Sequence, residues 1–219
     1  MQLLSVNVGK ERIIENAGKS GKTGIFKLPS WDAVLITRDG LAGDTISDTK
    51  NHGGVDQAVY IYTQEDYGWW AQELNTELEP GTFGENLTIS GLESAPVNIG
   101  DRFHIDGVVL EVTAPRIPCA TLAARMGDPQ FVKRFRHAER PGMYCRVIEG
   151  GPVRAGMVIT HEPYTGATLT IGESFRMFYE HEPSEVDLRR ALAAPIAIRD
   201  RQEKEEKLAM LLAERGDGS

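Results

Sequence analysis

The sequence predicts a mainly β domain with helical insertions, either a barrel or a sandwich, followed by a small domain of three helices. Two observations lead to this fold class. As far as residue 162, short runs rich in strand-forming residues alternate with turn residues, and helical stretches only interrupt them. Beyond residue 162, strand formers become rare and three helical stretches follow. We therefore expect one domain at residues 1–162 and a second at residues 163–219.

The strands are predicted from short β-rich runs bounded by turn residues. They comprise residues 2–8, 33–36, 58–62, 86–89, 101–105, 108–113, 143–149 and 157–161. Between two of them, the pair Asp106-Gly107 predicts a tight hairpin, because both residue types tolerate the positive φ angles that a two-residue turn requires.

Two helices are predicted within the β-rich region. Thr63 followed by Asp66 is typical of a capping box, and Asp128-Pro129 is typical of an N-cap with proline in the first helical turn. We expect the aromatic residues of both helices to pack in the core. The last helix of the second domain carries charge pairs at i,i+4 spacing and an apolar stripe, which a solvated, packed helix explains without a ligand.

Composition and charge exclude several classes of protein. With 24 basic and 32 acidic side chains, the net charge is −8, which disfavours binding to a nucleic-acid backbone. No apolar run approaches the roughly 20 residues that a membrane-spanning helix needs, and the first residues show no secretory signal. We therefore expect a cytoplasmic protein that binds neither membrane nor nucleic acid.

Cys119 lies where a β-rich run ends in two prolines around Arg116 and helix formers begin. A thiol at a helix N-terminus is exposed to unpaired N–H groups, and the Arg116 cation acts in the same direction, so both favour the thiolate. A reactive or metal-ligating thiol is one interpretation, and a small buried apolar side chain is the other.

Cys145 alternates with Met143 and Val147 along a predicted strand, which places it on their face and favours core packing. Tyr144 and Arg146 project from the opposite face. Arg146 is a candidate for an anion-binding surface, although a solvated surface arginine is the simpler interpretation.

Two glycine-containing turns are candidate binding loops. In the first, Lys50, Asn51 and His52 precede Gly53 and Gly54, and consecutive glycines let backbone N–H groups approach an anion closely. The flanking lysine and histidine could complete a binding loop for a phosphate or a pterin. A tight turn with a satisfied histidine is the alternative interpretation.

In the second loop, Gly84 frees the backbone beside Glu85 and Asn86, whose polar groups suit a ring system rich in heteroatoms. A simple turn that enters the next strand is the alternative. The chain has no Walker motif, no dinucleotide-binding glycine motif and no iron–sulfur cysteine set, so any electrons must come from outside.

Four segments in this order, KNHGGVDQAV, FGENLTISG, PRIPC and RPGMYCRVI, resemble the MOSC domain and specifically its YiiM-like members. The resemblance spans nearly the whole chain, because YiiM-like proteins also carry a small C-terminal three-helix domain. It implies a β-barrel with helical insertions for the first domain.

The resemblance also implies a molybdenum cofactor, that is, molybdopterin with molybdenum. Cys119 matches the family's metal-coordinating cysteine, and thiolate is a soft ligand suited to a metal already held by sulfur. The positions implied to bind the cofactor are Lys50, Asn51, His52, Gly53, Gly54, Phe83, Gly84, Asn86, Arg116, Pro118, Cys119, Tyr144 and Arg146.

The implied activity is the two-electron reduction of N-hydroxylated compounds, such as 6-hydroxylaminopurine, to amines. His52, Asp56 and Glu85 are candidate proton donors beside Cys119. A separate flavin or iron–sulfur protein would deliver the electrons, and we expect it to dock against the helical domain. Two alternatives remain open: a carrier of sulfur or of molybdenum cofactor that uses a Cys119 persulfide, and a barrel that binds an anionic ligand without catalysis.

Overall fold

The computed structural model describes residues 1–14, 21–45 and 53–216, and these ranges contain thirteen strands and six α-helices. The strands are β1 (Gln2–Val8), β2 (Arg12–Ile13), β3 (Lys22–Thr23), β4 (Leu28–Pro29), β5 (Val34–Thr37), β6 (Gly40–Leu41), β7 (Val59–Thr63), β8 (Leu87–Ser90), β9 (Arg102–Ile105), β10 (Val108–Pro115), β11 (Met143–Glu149), β12 (Gly151–Val153) and β13 (Thr160–Glu162). The helices are α1 (Gln64–Leu74), α2 (Ala120–Met126), α3 (Phe131–Ala138), α4 (Ile171–Phe178), α5 (Glu185–Ala193) and α6 (Ile198–Gly216).

Eight strands form one curled sheet in the order β13-β9-β10-β11-β7-β8-β1-β4. All neighbouring strands are antiparallel except β7 and β8, which are parallel. The sheet curls until the segment before β13 meets β1, where the Leu3 amide donates to the Met157 carbonyl (2.9 Å) and the Gly156 amide donates to the Leu3 carbonyl (2.8 Å). These bonds partly close a barrel, so the predicted mainly β fold with helical insertions is confirmed.

The local signals in the sequence correspond to particular elements. Strands β1 and β11 have the predicted bounds, and the hairpin between β9 and β10 has positive φ at Asp106 (44°) and Gly107 (88°). The Thr63 side chain accepts from the Asp66 amide and begins α1. The carboxylate of Asp66, however, accepts from Ser94 and Arg140, so it does not complete the predicted capping box.

Helix α3 begins two residues later than the Asp128-Pro129 signal predicted. The Asp128 side chain accepts from the Gln130 amide (2.8 Å) and its carbonyl accepts from the Phe131 amide (2.9 Å), so Asp128 organises a turn that precedes the helix. The aromatic residues Trp70, Phe131 and Phe135 are buried, as the sequence predicted.

Two buried apolar clusters hold the molecule together. The first fills the barrel and also includes Ile171, Ala194 and Ile196 from the C-terminal segment. The second lies outside the barrel, where α1, α2 and α3 pack against β7 and the loop that contains Phe83. Because the first cluster includes residues from both segments, α4 and the α5–α6 connection are anchored on the barrel. The domain boundary after residue 162 stays a prediction.

The last helix, α6, carries the predicted ion pairs Asp200–Lys204 and Glu203–Lys207. Its apolar stripe is only partly covered, because Leu208 and Leu211 are half-buried and Leu212 is exposed. In the described ranges, no helix combines the length and the apolar character that crossing a bilayer requires.

Asp56, in the short 3₁₀ turn before β7, fastens α6 to the barrel. Its Oδ2 accepts from the Ile198 amide (2.7 Å) at the start of α6, and its Oδ1 lies 3.1 Å from Nε of Arg146. Arg146 in turn donates to the carbonyls of Pro195 (3.0 Å) and Ile196 (3.1 Å). The two side chains therefore join β7, β11 and the helical segment.

Replacing Asp56 with alanine is expected to lower the free energy of unfolding by about 1–3 kcal/mol, because a helix N–H loses its acceptor and Arg146 loses an ion-pair partner. Urea denaturation measures the change. The matched control is the exposed Asp32→Ala, which should change the free energy by less than about 0.5 kcal/mol. Equal losses in the two variants would contradict the assigned role of Asp56.

Candidate functional site

Cys119 lies at the corner between β10 and α2. The residue has extended backbone angles (φ −132°, ψ 172°) and occupies the N-cap of α2, so its carbonyl accepts from the amides of Leu122 and Ala123. The two prolines of the corner interrupt the ladder of β10, because proline has no N–H to donate. Cys119 is partly buried, forms no disulfide and lines a cavity.

The Cys119 cavity, with a volume of about 480 Å³, lies between the barrel and the C-terminal helices. The barrel side of its lining comes from the corner at Pro115, Ile117 and Pro118 together with Cys119, Thr121 and Tyr144, and the helical side comes from Ser174, Phe178, Ala197, Arg199, Asp200, Glu203 and Lys204. A cavity of this size is within the range of small-molecule sites.

The Arg116 cavity, a smaller space of about 100 Å³, adjoins the first. Gln57, Thr121 and Tyr144 line both cavities. The rest of its described lining comprises Lys22, Thr23, Gly24, Ile25, Lys27, Thr45, Gly53, Tyr60, Gly84, Asn86 and Arg116. The candidate site is therefore a pair of adjacent cavities, one with the thiol and one with buried cations.

Arg116 is only 5% exposed. Its Nη1 donates to the Phe83 carbonyl, and its guanidinium carbon lies 4.9 Å from the ring centroid of Tyr60. Burial alone would lower the pKa of Arg116, but the nearby side chains of Tyr60, Tyr144 and Cys119 raise it overall, so the guanidinium stays charged. Cys119 is thus electrostatically coupled to a buried cation.

Two buried polar atoms at this site have no hydrogen-bond partner among the described residues. They are Nε of Arg116, which is a donor, and Oε1 of Gln57, which is an acceptor. Buried polar groups are nearly always paired, because an unpaired one loses its hydration without compensation. Because both residues line the Arg116 cavity, a ligand with polar groups of its own could pair with the two atoms.

Lys27 supplies a second buried cation, which forms an ion pair with Asp44. The Asp44 carboxylate also accepts from the Asn86 side-chain amide (2.8 Å) and from the Gly9 amide (2.7 Å). Burial lowers the pKa of Lys27, and the interaction with Asp44 opposes that effect. The network fixes Asn86 at the cavity wall, where its Oδ1 also accepts from the Tyr60 amide (3.1 Å).

The glycines at the Arg116 cavity allow close approach of the chain. Gly84 has φ +76°, and a Cβ there would lie 2.7 Å from Cγ1 of Ile25 and 3.5 Å from Nη1 of Arg116. At Gly24 a Cβ would lie 1.9 Å from the Thr45 carbonyl oxygen. A larger residue at either position would displace the loops that surround the cavity.

The structure brings together part of the predicted site. Gly53, Gly84, Asn86 and Arg116 line the Arg116 cavity, Pro118 and Cys119 line the Cys119 cavity, and Tyr144 lines both. Lys50, Asn51 and His52 lie outside the described residues. The described lining of the two cavities does not include the other predicted residues, which are Gly54, Asp56, Phe83, Glu85 and Arg146.

Phe83 and Glu85 stabilise the loop that precedes β8 through contacts away from the two cavities. The ring of Phe83 stacks on Tyr62, with centroids 4.5 Å apart, inside the second apolar cluster. Glu85 is fully buried, and its Oε1 accepts from the Gly81 amide (2.7 Å), the Tyr67 hydroxyl (2.7 Å) and the Thr88 hydroxyl (2.8 Å). Its side chain therefore braces the loop.

The sequence did not identify the helical wall, which is the part of the Cys119 cavity lining that α4 and α6 contribute, or much of the Arg116 cavity. The pair Lys27–Asp44 belongs to no motif, and its partners are 17 positions apart. The charges at Asp200 and Lys204 were assigned to a solvated helix face, although Lys204 is only 8% exposed. The signal that could have identified Lys204 is its helical spacing, seven residues after Ala197 and four before Leu208, which places it near an apolar face.

Burial raises the pKa of Glu85, so its folded state retains the proton at higher pH than the unfolded chain. The free energy of unfolding should therefore fall as the pH rises from the ordinary value of 4.5 through the raised pKa. In Glu85→Gln the free energy of unfolding should fall less steeply with pH, because glutamine does not titrate. Urea denaturation at a series of pH values measures this slope. The exposed Glu77→Gln should keep the wild-type slope, and an unchanged slope in Glu85→Gln would contradict the prediction.

Comparison with known proteins supports a family assignment. Residues 48–160 match the profile of the MOSC domain. The uncharacterized protein YflK of Bacillus subtilis (strain 168) is 42% identical over 154 residues, which cover 70% of each protein. Protein YiiM of Escherichia coli (strain K12) is 32% identical over 134 residues, or 60% of each protein. A protein of Gibberella moniliformis named "Reductase" is 32% identical over 170 residues, but the match covers only 30% of that protein.

The fold comparison agrees with the sequence comparison. The crystal structure of YiiM from Geobacillus stearothermophilus has a TM-score of 0.78 at 25% identity and covers 94% of this chain and 98% of the other. YiiM from Escherichia coli has a TM-score of 0.75 at 22% identity, covering 96% of this chain and 94% of the other. The chain therefore belongs to the MOSC domain family and is a YiiM-like member of it.

Proposed function

We propose that this protein is a molybdenum cofactor-dependent reductase of N-hydroxylated compounds, such as 6-hydroxylaminopurine. The observation that carries the proposal is the position of Cys119, whose partly buried thiol lines a cavity of about 480 Å³ beside the buried cation of Arg116. The name of the Gibberella relative agrees with an oxidoreductase role.

The residues present fit the proposed cofactor. Cys119 offers a soft sulfur ligand for the metal, and the unpaired Nε of Arg116 and Oε1 of Gln57 match the donors and acceptors of a pterin edge. The buried cation of Arg116 suits its phosphate. When bound, the cofactor would supply two-electron redox chemistry at a sulfur-ligated metal.

The proposed reaction breaks one N–O bond and consumes two protons and two electrons, so that a hydroxylamine gives an amine and water. The protein would hold the substrate and provide the protons. Of the proton donors that the sequence suggested, Asp56 is engaged at the α6 junction and Glu85 lies behind the loop. The described titratable groups that line the Cys119 cavity, besides Cys119 itself, are Tyr144, Arg199, Asp200, Glu203 and Lys204.

The electrons would come from a separate flavin or iron–sulfur protein. The Cys119 cavity lies between the barrel and α6, and the outer surface of α6 carries exposed Met210 and Leu212. We therefore keep the helical segment as the proposed docking region. Reductase turnover by a Met210→Glu variant, compared with the wild type at limiting donor concentration, tests that placement.

Replacing Cys119 with alanine is expected to lower reductase activity by more than about 100-fold, because loss of a metal ligand should cost more than loss of a residue that supports one. The assay is reduction of 6-hydroxylaminopurine by protein made in a host that synthesises the cofactor. Elemental analysis should find about one molybdenum per wild-type chain.

The matched control is Cys145→Ala, which removes the other thiol. Cys145 is fully buried in the barrel core, and burial raises its pKa. The variant should lose about 1 kcal/mol of stability, because a buried side chain is shortened, and it should keep its activity. Cyanide-labile sulfur on Cys119 without molybdenum would favour the carrier function instead. Protein that holds molybdenum but reduces nothing would favour a non-catalytic binding protein.

Replacing Arg116 with methionine is expected to lower the molybdenum content by about ten-fold or more, because the cavity loses its buried cation and an unpaired donor. The control is Arg125→Met, since Arg125 also lies over an aromatic ring, 4.6 Å from the centroid of Phe26, but contributes to neither cavity lining. Equal metal contents in the two variants would contradict a role of Arg116 in holding the cofactor.

A further inference from the structure

We propose that the ion pair Lys204–Asp200 in the wall of the Cys119 cavity recognises the substrate as a free nucleobase, through the edge at which a nucleoside carries its sugar. The inference deepens the proposed function and rests on it for the identity of the reacting group. The binding step, however, concerns residues of this chain alone and can be measured without any metal.

The lining of the Cys119 cavity is divided in chemical character. The corner contributes the apolar side chains of Pro115, Ile117 and Pro118, and α4 contributes Phe178, a residue that is 54% exposed although it lines the cavity. Helix α6 contributes charged side chains. Apolar walls with one polar side suit a flat ring that has apolar faces and a polar edge.

The pair Lys204–Asp200 is the buried part of the polar side. The Lys204 side chain is 10% exposed and the Asp200 side chain 28%, whereas the next pair on the same helix, Lys207–Glu203, is 43% and 54% exposed. An exposed i,i+4 pair stabilises a helix only slightly, and burying an ammonium costs more than such a pair contributes. Helix stability therefore does not account for placing this lysine against the cavity.

The pair presents a donor and an acceptor side by side. The Lys204 ammonium has three N–H groups, and in the described part of the chain its hydrogen-bonding partner is the Oδ1 atom of Asp200. Donor capacity on Lys204 and acceptor capacity on Asp200 remain for a molecule in the cavity. The complementary ligand edge carries an acceptor next to an N–H donor.

Free adenine and free cytosine have such an edge on the side away from their exocyclic nitrogen. A purine presents the N3 acceptor beside N9–H, and cytosine presents the O2 acceptor beside N1–H. Binding of this edge by α6 would direct an N–OH group at the opposite side of the base away from α6. In a nucleoside the sugar replaces the N–H donor, so Asp200 would face an alkylated nitrogen and lose its hydrogen bond.

Calorimetric titration of the full chain with adenine and with 9-methyladenine tests the proposal, because the two ligands differ only at the nitrogen that Asp200 would bind. We expect 9-methyladenine to bind the wild type about ten-fold more weakly than adenine, the effect of losing one hydrogen bond to a charged group. In Lys204→Met and Asp200→Asn the adenine affinity should fall and the discrimination should shrink towards one-fold.

The control variant is Lys207→Met, which removes the exposed pair one turn along and should keep the ten-fold ratio. Thermal unfolding shows whether each variant is folded, and Asp200→Asn preserves the test if Lys204→Met is not. Equal binding of the two ligands by the wild type, absence of binding by both, or an unchanged ratio in a folded Lys204→Met or Asp200→Asn variant would overturn the proposal.

Turnover distinguishes this inference from the proposed function. With molybdenum-loaded protein, 6-hydroxylaminopurine should be reduced with a kcat/KM about ten-fold higher than its 9-methyl derivative, and Asp200→Asn should act mainly on KM. Discrimination in binding without any reduction would sustain the inference and reject the proposed activity. Reduction at equal kcat/KM for both substrates would sustain the activity and reject the inference.

Discussion

The buried guanidinium of Arg116 is the feature on which the architecture of the site depends. It connects three segments that are distant in sequence: the corner that carries Cys119, the loop that contributes the Phe83 carbonyl, and β7, which contributes the Tyr60 ring. A charge removed from water is tolerated only with compensation. Here a carbonyl dipole and an aromatic face provide it, so the corner is held in one place against the barrel.

The two buried cations of the site are compensated in different ways. Lys27 forms an ion pair with Asp44, which neutralises its charge within the protein. In the described ranges, the Arg116 guanidinium donates to the Phe83 carbonyl and lies over the ring of Tyr60, and its Nε has no hydrogen-bond partner. Arg116 therefore keeps a net positive charge and a free directional donor at the cavity, whereas Lys27 mainly positions Asn86 through Asp44.

Local chemistry made much of the fold predictable. Strand β11 alternates buried and half-buried residues from Met143 to Arg146, and the hairpin at Asp106-Gly107 needs positive φ angles, so periodicity and turn preference determine both. The start of α3 was not predictable to the residue, because Asp128 bonds to two successive amides and a sequence does not show which of them begins the helix.

The site was predictable where a motif brings its residues close together in sequence. Arg116, Pro118 and Cys119 share one corner, and that corner lines both cavities. Asp56 and Arg146 occur in matching motifs as well, but their side chains are used between the barrel and α6. A motif identifies which residues are constrained, and it does not show whether the constraint is on binding or on assembly.

The helical wall could not be found from the sequence because its use depends on where α6 is docked. Charge pairs at i,i+4 have the same pattern whether the helix face meets solvent or a cavity. The bonds from Asp56 and Arg146 determine the position of the start of α6, and the face with Asp200 and Lys204 then lies opposite the Cys119 corner. The barrel thus supplies the thiol and the apolar walls, and the helical segment supplies the polar side. A cavity with both characters exists only when the junction holds the barrel and the helical segment together.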